Sequence, residues 1–243
     1  MKAFFYSFIL IVMNEYAFSA GEWFYYKEYP WVYDNVTEDW LYLRGERDGK
    51  VYAYRASTKK WEEFNDQDKD KSWEEKYEVW VQNPEPYGGL DVLSMIKDAK
   101  DNGASELRLL DYNISDLTPL AELYNLRELR LGENNIKDLT PLANLSNLEG
   151  LGISDNKVTD LSPLSGLTSL ERLHIGNNEI EDLSPLSGMK NLTELWAYFN
   201  KITDIFPITS LTNLKILNLM SNNIPASQKT MLEGALTSTN ISW

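Results

Sequence analysis

One phrase recurs through the second half of this 243-residue chain. In full it runs Leu126-x-x-Leu129-x-Leu131-x-x-Asn134-Asn135-Ile136-x-Asp138-Leu139-x-Pro141-Leu142-x-x-Leu145. It restarts at Leu148, Leu170, Leu192 and Leu214, each 22 residues after the last, and stands without its first leucine from Ala104. A fixed period of this length leaves few folds open. One repeat cannot bury its apolar face alone, so successive repeats must stack into a solenoid. Solenoids present extended surfaces to other molecules, which favours recognition over catalysis.

Within a repeat, Glu128-Leu129-Arg130-Leu131-Gly132 alternates polar and apolar residues, the pattern of a short strand with one buried face. Stacking sets such strands side by side in a parallel sheet, so identical positions form ladders. One ladder is polar: Asn134, Asn156, Asn178, Asn200 and Asn222. An asparagine amide carries donors and an acceptor. It is expected to satisfy backbone groups of the turn in its own repeat and the next, rather than to line a ligand site. Thr118-Pro119, Thr140-Pro141, Ser162-Pro163 and Ser184-Pro185 predict short helical turns with the hydroxyl residue as N-cap and proline at N1. Asp116, Asp138, Asp160, Asp182 and Asp204 are expected to brace those turns. Each recurs singly, without the cluster of oxygen ligands that calcium needs, so no metal is expected.

These residues resemble the leucine-rich-repeat family, in the 22-residue bacterial form found in internalins. The match covers about Ala104 to Pro225. The resemblance implies a curved right-handed solenoid whose concave parallel sheet binds partners. Tyr112 departs from it in the first asparagine slot, Phe206 in the hydroxyl slot of the fifth repeat, and the sixth repeat loses its ending after Ile224.

The flanks complete an α/β architecture. Residues 1–19 read as a signal peptide, with Lys2 before a short apolar core and Ala17-Phe18-Ser19 at the cleavage region. Residues 20–64 form an aromatic module, 65–88 a linker, 89–103 a cap helix, 104–225 the repeats and 226–243 a C-terminal cap. The cap helix is marked by Leu90, Leu93, Ile96 and Ala99 and stopped at Gly103; the terminal cap by Met231, Leu232 and Ala235 and a last short strand near Asn240–Trp243. The aromatic module alternates in Trp40-Leu41-Tyr42-Leu43 and Val51-Tyr52-Ala53-Tyr54-Arg55, with Asp48-Gly49 between as a hairpin signal. It is expected to be a small antiparallel sheet. Its tryptophans are either the core of a small domain or glycan-stacking residues; for the second reading Trp23, Trp31, Trp40 and Trp61 are the candidates. In the linker, Asp66-Gln67-Asp68-Lys69-Asp70 imitates a calcium loop but lacks its glycine at Lys71 and its acid at Tyr77. Tyr77-Glu78-Val79-Trp80-Val81 reads as one more strand.

A net charge of −14 argues against nucleic acid and anionic membranes as partners. There is no cysteine, hence no thiolate nucleophile and no disulfide-stapled caps, which favours a bacterial source. The expected setting is secreted or periplasmic, with no membrane insertion after signal cleavage, no cofactor, and a monomer.

The outward columns of the concave sheet can be read repeat by repeat. The central column is Arg108, Arg130, Gly152, His174, Trp196 and Asn218; beside it run Leu110, Gly132, Ser154, Gly176, Tyr198 and Met220. The rim is Asp111, Glu133, Asp155, Asn177, Phe199 and Ser221, and the flanking column Glu106, Glu128, Gly150, Arg172, Glu194 and Ile216. Arg108 and Arg130 are expected to pair with Glu106, Glu128 and Glu133 across strands. Trp196, Tyr198, Phe199, Met220 and Ile216, with Arg172 and His174 at the edge, are the predicted contact patch for a protein partner, beside a hollow left by Gly150, Gly152 and Gly176. Ser154, Asp155 and His174 sketch a catalytic triad, but a shallow sheet offers no oxyanion site, so no enzyme is expected. Carbohydrate or cell-wall binding is the alternative function.

Overall fold

The structure, a computed structural model, describes the backbone of residues 31–34, 39–45, 51–55 and 60–63, and residues 71–243 in full. The predicted signal segment and Trp23 lie outside the described residues. The chain divides into two units, Met1–Lys71 and Ser72–Trp243.

In the first unit, β1 (Trp31–Asp34), β2 (Asp39–Gly45), β3 (Val51–Arg55) and β4 (Lys60–Glu63) form an antiparallel sheet in sequence order. The Cα register aligns Trp31, Tyr42, Tyr54 and Trp61 in one row across the sheet and sets Tyr33 opposite Trp40 in the next.

The second unit is a stack of repeats. β5 (Glu106–Arg108), β6 (Glu128–Arg130), β7 (Gly150–Gly152), β8 (Arg172–His174), β9 (Glu194–Trp196), β10 (Ile216–Asn218) and β11 (Asn240–Ser242) form one sheet, ordered along the stack. Every described pairing in it is parallel and in register, so Leu107, Leu129, Leu151, Leu173, Leu195 and Leu217 form a buried ladder. The ladder continues one step on through Leu109, Leu131, Ile153, Ile175, Ala197 and Leu219, whose N–H groups donate to the following repeat, as Leu131 does to Gly152 O at 2.7 Å. Opposite the sheet, short 3₁₀ turns at Thr118–Leu120, Thr140–Leu142, Ser162–Leu164, Ser184–Leu186 and Phe206–Ile208 stack in a second column. They drive Leu120, Leu142, Leu164, Leu186 and Ile208 into the same core. Deleting one such leucine side chain leaves a cavity that costs about 2–5 kcal/mol.

The turns are capped differently from the sequence expectation. The hydroxyl residue is the first residue of each turn, with a leucine at the N-cap position and no side-chain cap bond from it. The aspartate two residues earlier accepts the turn's first N–H instead, at 2.8 Å for Thr118, Thr140 and Ser162 and 2.7 Å for Ser184. A charged carboxylate is the stronger acceptor, and the same bond forms at Phe206, where no hydroxyl is present.

Both open ends are closed. Residues 77–81, read as a strand from their alternation, instead form the end of a helix and its C-cap: α1 spans Trp73–Trp80, entered by a capping box in which Ser72 and Glu75 each accept the other's N–H. The spacing Trp73, Tyr77, Trp80 places one apolar face on the core, and the Trp73 indole donates to Pro119 O at 3.2 Å. α2 (Leu90–Asp101) buries Val92, Leu93, Ile96 and Ala99; Leu90, expected on that face, is exposed and Val92 takes its place. Between them, Pro86 O accepts from Ser115 N and Asp116 N at 2.8 and 3.0 Å. Gly88, at φ +90°, passes so close to Ile114 and Tyr112 that a side chain there would clash. At the far end α3 (Ala226–Ala235) and β11 cover the last repeat. Leu232 and Leu236 are the buried pair, and Ala235, expected inside, is exposed.

Candidate functional site

The concave face is fixed from beneath by the asparagine ladder. Asn156 Nδ2 donates to Leu131 O, Ile153 O and Ser154 O at 2.9, 3.1 and 3.1 Å, and its Oδ1 accepts from Ile136 N at 2.9 Å. Asn134, Asn178, Asn200 and Asn222 repeat the pattern. The reach is backward, to the preceding repeat, rather than forward as the sequence suggested. A second row, Asn147, Asn191 and Asn213, does likewise from the other end of the strands, donating to Tyr124 O, Thr168 O and Lys190 O. The residue before each leucine that opens a repeat was the signal for it.

These bonds hold the chain in a sharp turn just past each strand. Asp111, Glu133, Asp155, Asn177, Phe199 and Ser221 all have positive φ, between 48° and 59°. Left-handed backbone suits short polar residues whose side chains bond locally and disfavours bulky ones. Asp111, Asp155, Asn177 and Ser221 are short and polar, and Glu133 is polar though longer. Phe199, at φ 48°, is neither, and its ring is 60% exposed. The sequence columns named Phe199 but gave no sign of its backbone.

Around it the rings lie close together: His174 is tilted against Trp196 at 5.5 Å, and Trp196 to Tyr198 at 6.3 Å and Tyr198 to Phe199 at 6.0 Å between centroids are edge contacts. Met220 is 46% and Ile216 39% exposed. Trp196 and Tyr198 are half-buried. The Trp196 indole Nε1 is enclosed and has no hydrogen-bond partner among the described residues, a buried donor left unmet beneath the face.

The surroundings differ from expectation in two ways. The hollow does not form at Gly150 and Gly176: the Glu128 carboxylate lies over Gly150 and the Tyr198 ring over Gly176, so each glycine serves as a bed for a neighbour's side chain. The charges also pair otherwise. Parallel in-register strands set like on like, Glu106 beside Glu128 and Arg108 beside Arg130. Glu128 therefore reaches across Gly150 to Arg172, two strands away, and that hydrogen-bonded carboxylate, outweighing partial burial, holds the Arg172 pKa above its ordinary value. Glu194 lies 3.1 Å from His174 Nε2. Arg172 and His174 thus border the patch already engaged by Glu128 and Glu194.

The sketched triad is not connected: Asp155 accepts from Asn177 Nδ2 at 2.6 Å, His174 faces Glu194, and no hydrogen bond links Ser154, Asp155 and His174 among the described residues. Among those residues there is also no group of three or more acidic or histidine side chains placed to hold a metal, and no helix long and apolar enough to cross a membrane. Of the glycan candidates, Trp31, Trp40 and Trp61 sit on β1, β2 and β4.

Comparison with known proteins agrees with this geometry. A family model for leucine-rich repeats, two copies per match, fits residues 146–188 and 190–230. No curated protein matches the chain in sequence. An internalin of Listeria monocytogenes has a similar solved structure, with 27% identity over 65% of this chain and 56% of its own, at a TM-score of 0.52. A leucine-rich-repeat protein of Leptospira interrogans has 30% identity over 57% of this chain and 36% of its own, at a TM-score of 0.53. The chain thus spans about half and about a third of the lengths of these two proteins. By its repeats, its parallel sheet and these likenesses, the chain carries a leucine-rich-repeat solenoid similar to those of Listeria internalins and a Leptospira leucine-rich-repeat protein.

Proposed function

We propose that this chain is a non-enzymatic binding protein that grips a protein partner with the C-terminal half of its concave face, outside the cytoplasm. Phe199 carries the reading. A large exposed aromatic ring occupies a backbone conformation that every other repeat gives to a small or polar residue. Such strain costs about 1–3 kcal/mol and is retained where function needs the side chain. Trp196, Tyr198, Met220 and Ile216 extend it into an apolar patch, and aromatic residues of this kind commonly anchor interfaces. Curved repeat sheets are the part of a solenoid that partners use. The signal-like residues 1–19 support an extracytoplasmic setting.

The test is affinity capture with the full chain and with a Phe199→Asn, Met220→Ser variant. A protein retained by the first and lost by the second supports the reading; an identical retained set refutes it. Carbohydrate binding is the second reading, favoured by the row Trp31, Tyr42, Tyr54 and Trp61 across the small sheet. A glycan array distinguishes it: binding that survives the Phe199/Met220 variant and is lost on Trp31→Ala, Trp61→Ala belongs to the N-terminal module.

A further inference from the structure

The N-terminal half of the concave face carries a feature that the apolar patch does not use. Arg108 and Arg130 are register partners on β5 and β6, and both are exposed. Adjacent strands lie about 4.8 Å apart, so the two side chains share one patch, and like charges set opposite each other weaken a sheet. Neither has an ion-pair or hydrogen-bond partner among the described residues. Of the three acids expected to serve, Glu128 is committed to Arg172, and Glu106 and Glu133 make no ion pair among the described residues. In a chain of net charge −14, two adjacent unneutralised guanidiniums are conspicuous. The next position of their column is Gly152, where the nearest atom to an added side chain would be Arg130 Cγ at 3.9 Å, so the space over β7 is open and the column resumes with the His174 and Trp196 rings on β8 and β9.

Resting on the reading above, we propose that the concave face takes an extended, acidic-then-apolar segment of its protein partner. Carboxylates of that segment sit on Arg108 and Arg130, and an aromatic or aliphatic side chain sits on Phe199, Met220 and Ile216. A planar guanidinium matches a carboxylate with two parallel hydrogen bonds. On an otherwise acidic surface such a pair fixes register and orientation more than it adds bulk attraction. From β6 to β9 is three strand spacings, about 14 Å, which an extended chain covers in about four residues. The segment therefore separates its acidic and apolar anchors by about that number.

The test is a phage-displayed random dodecapeptide library panned on the immobilised full chain. The result expected is enrichment of peptides with two acidic residues about four positions from an aromatic or large aliphatic one. Arg108→Ser, Arg130→Ser should weaken the selected peptide about tenfold, and raised salt should weaken it on the native chain alone. Both arginines are exposed, so the variant keeps the core. Enriched peptides that lack acidic residues but depend on Phe199 would overturn this inference and leave the apolar patch standing. Peptides indifferent to both substitutions, or no enrichment, would overturn both. Retention of a sulfated oligosaccharide through the same arginines, without acidic peptides, would assign the pair to a glycan and also overturn it.

Discussion

At the scale of single residues, two positions carry opposite burdens. Asn156 is nine-tenths buried and engages four backbone groups in two repeats. Asn156→Ala strands several of them, each at about 1–3 kcal/mol, so the variant should lose about 3 kcal/mol or more in urea unfolding. Asn156→Asp, which keeps the acceptor and loses the donors, should be almost as damaging. Phe199 runs the other way. Phe199→Asn places in the left-handed turn the residue found there at Asn177. It should raise stability by about 0.5–1 kcal/mol while removing the exposed ring; a lowered unfolding midpoint would contradict the strain argument. Phe199 could be placed on the concave face from the repeat phase alone. Its backbone could not, because every residue near it fits a repeat register and only the turn geometry reveals the conflict. Arg108 and Arg130, without an ion-pair partner among the described residues, were hidden for a related reason: sequence columns show which charges are near one another, while parallel register and the small Gly150 decide which ones meet.

At the scale of elements, the N-terminal cap is a helix pair clamped to the first repeat by charge as well as by rings. Glu122 lies 3.0 Å from Lys76 of α1 and 3.4 Å from Lys100 of α2. Partial burial alone would raise its pKa, but the two ammonium groups outweigh it and hold the carboxyl below its ordinary 4.5. A carboxyl whose pKa is lower in the folded state contributes stability that is complete above its unfolded value. That contribution is lost as pH falls through the folded value. Glu122→Gln should therefore flatten part of the acid limb of the stability profile below about pH 4.5 and leave its shape at neutral pH unchanged. Urea midpoints measured from pH 2 to 7 (roughly the span over which a carboxyl titrates) check this, and an acid limb identical to the native one would remove Glu122 from the cap. Tyr77-Glu78-Val79-Trp80 alternates as a strand does and yet lies within α1. The Ser72–Glu75 capping box and the spacing of Trp73, Tyr77 and Trp80 on one helical face outweigh that alternation. The 3₁₀ turns, by contrast, were legible through their proline positions, although their true caps, the aspartates, looked like braces.

At the scale of the whole repeat unit, each repeat buries its leucines only through its neighbours, so the stack leaves two long surfaces: a sheet and a column of turns. The periodic phrase made both readable in the sequence, since in-register stacking follows from equal spacing. Which surface binds is the central question, and each happens to carry one conspicuously exposed phenylalanine. Phe199 is 60% exposed at the edge of the sheet, and Phe206 is 66% exposed on the turn column. Placing the photoreactive residue p-benzoylphenylalanine at one position or the other, in the otherwise native chain, compares the two surfaces under the same conditions. The account predicts a covalent adduct with a partner protein on irradiation from position 199 and none from position 206. An adduct from 206 with none from 199 would contradict it.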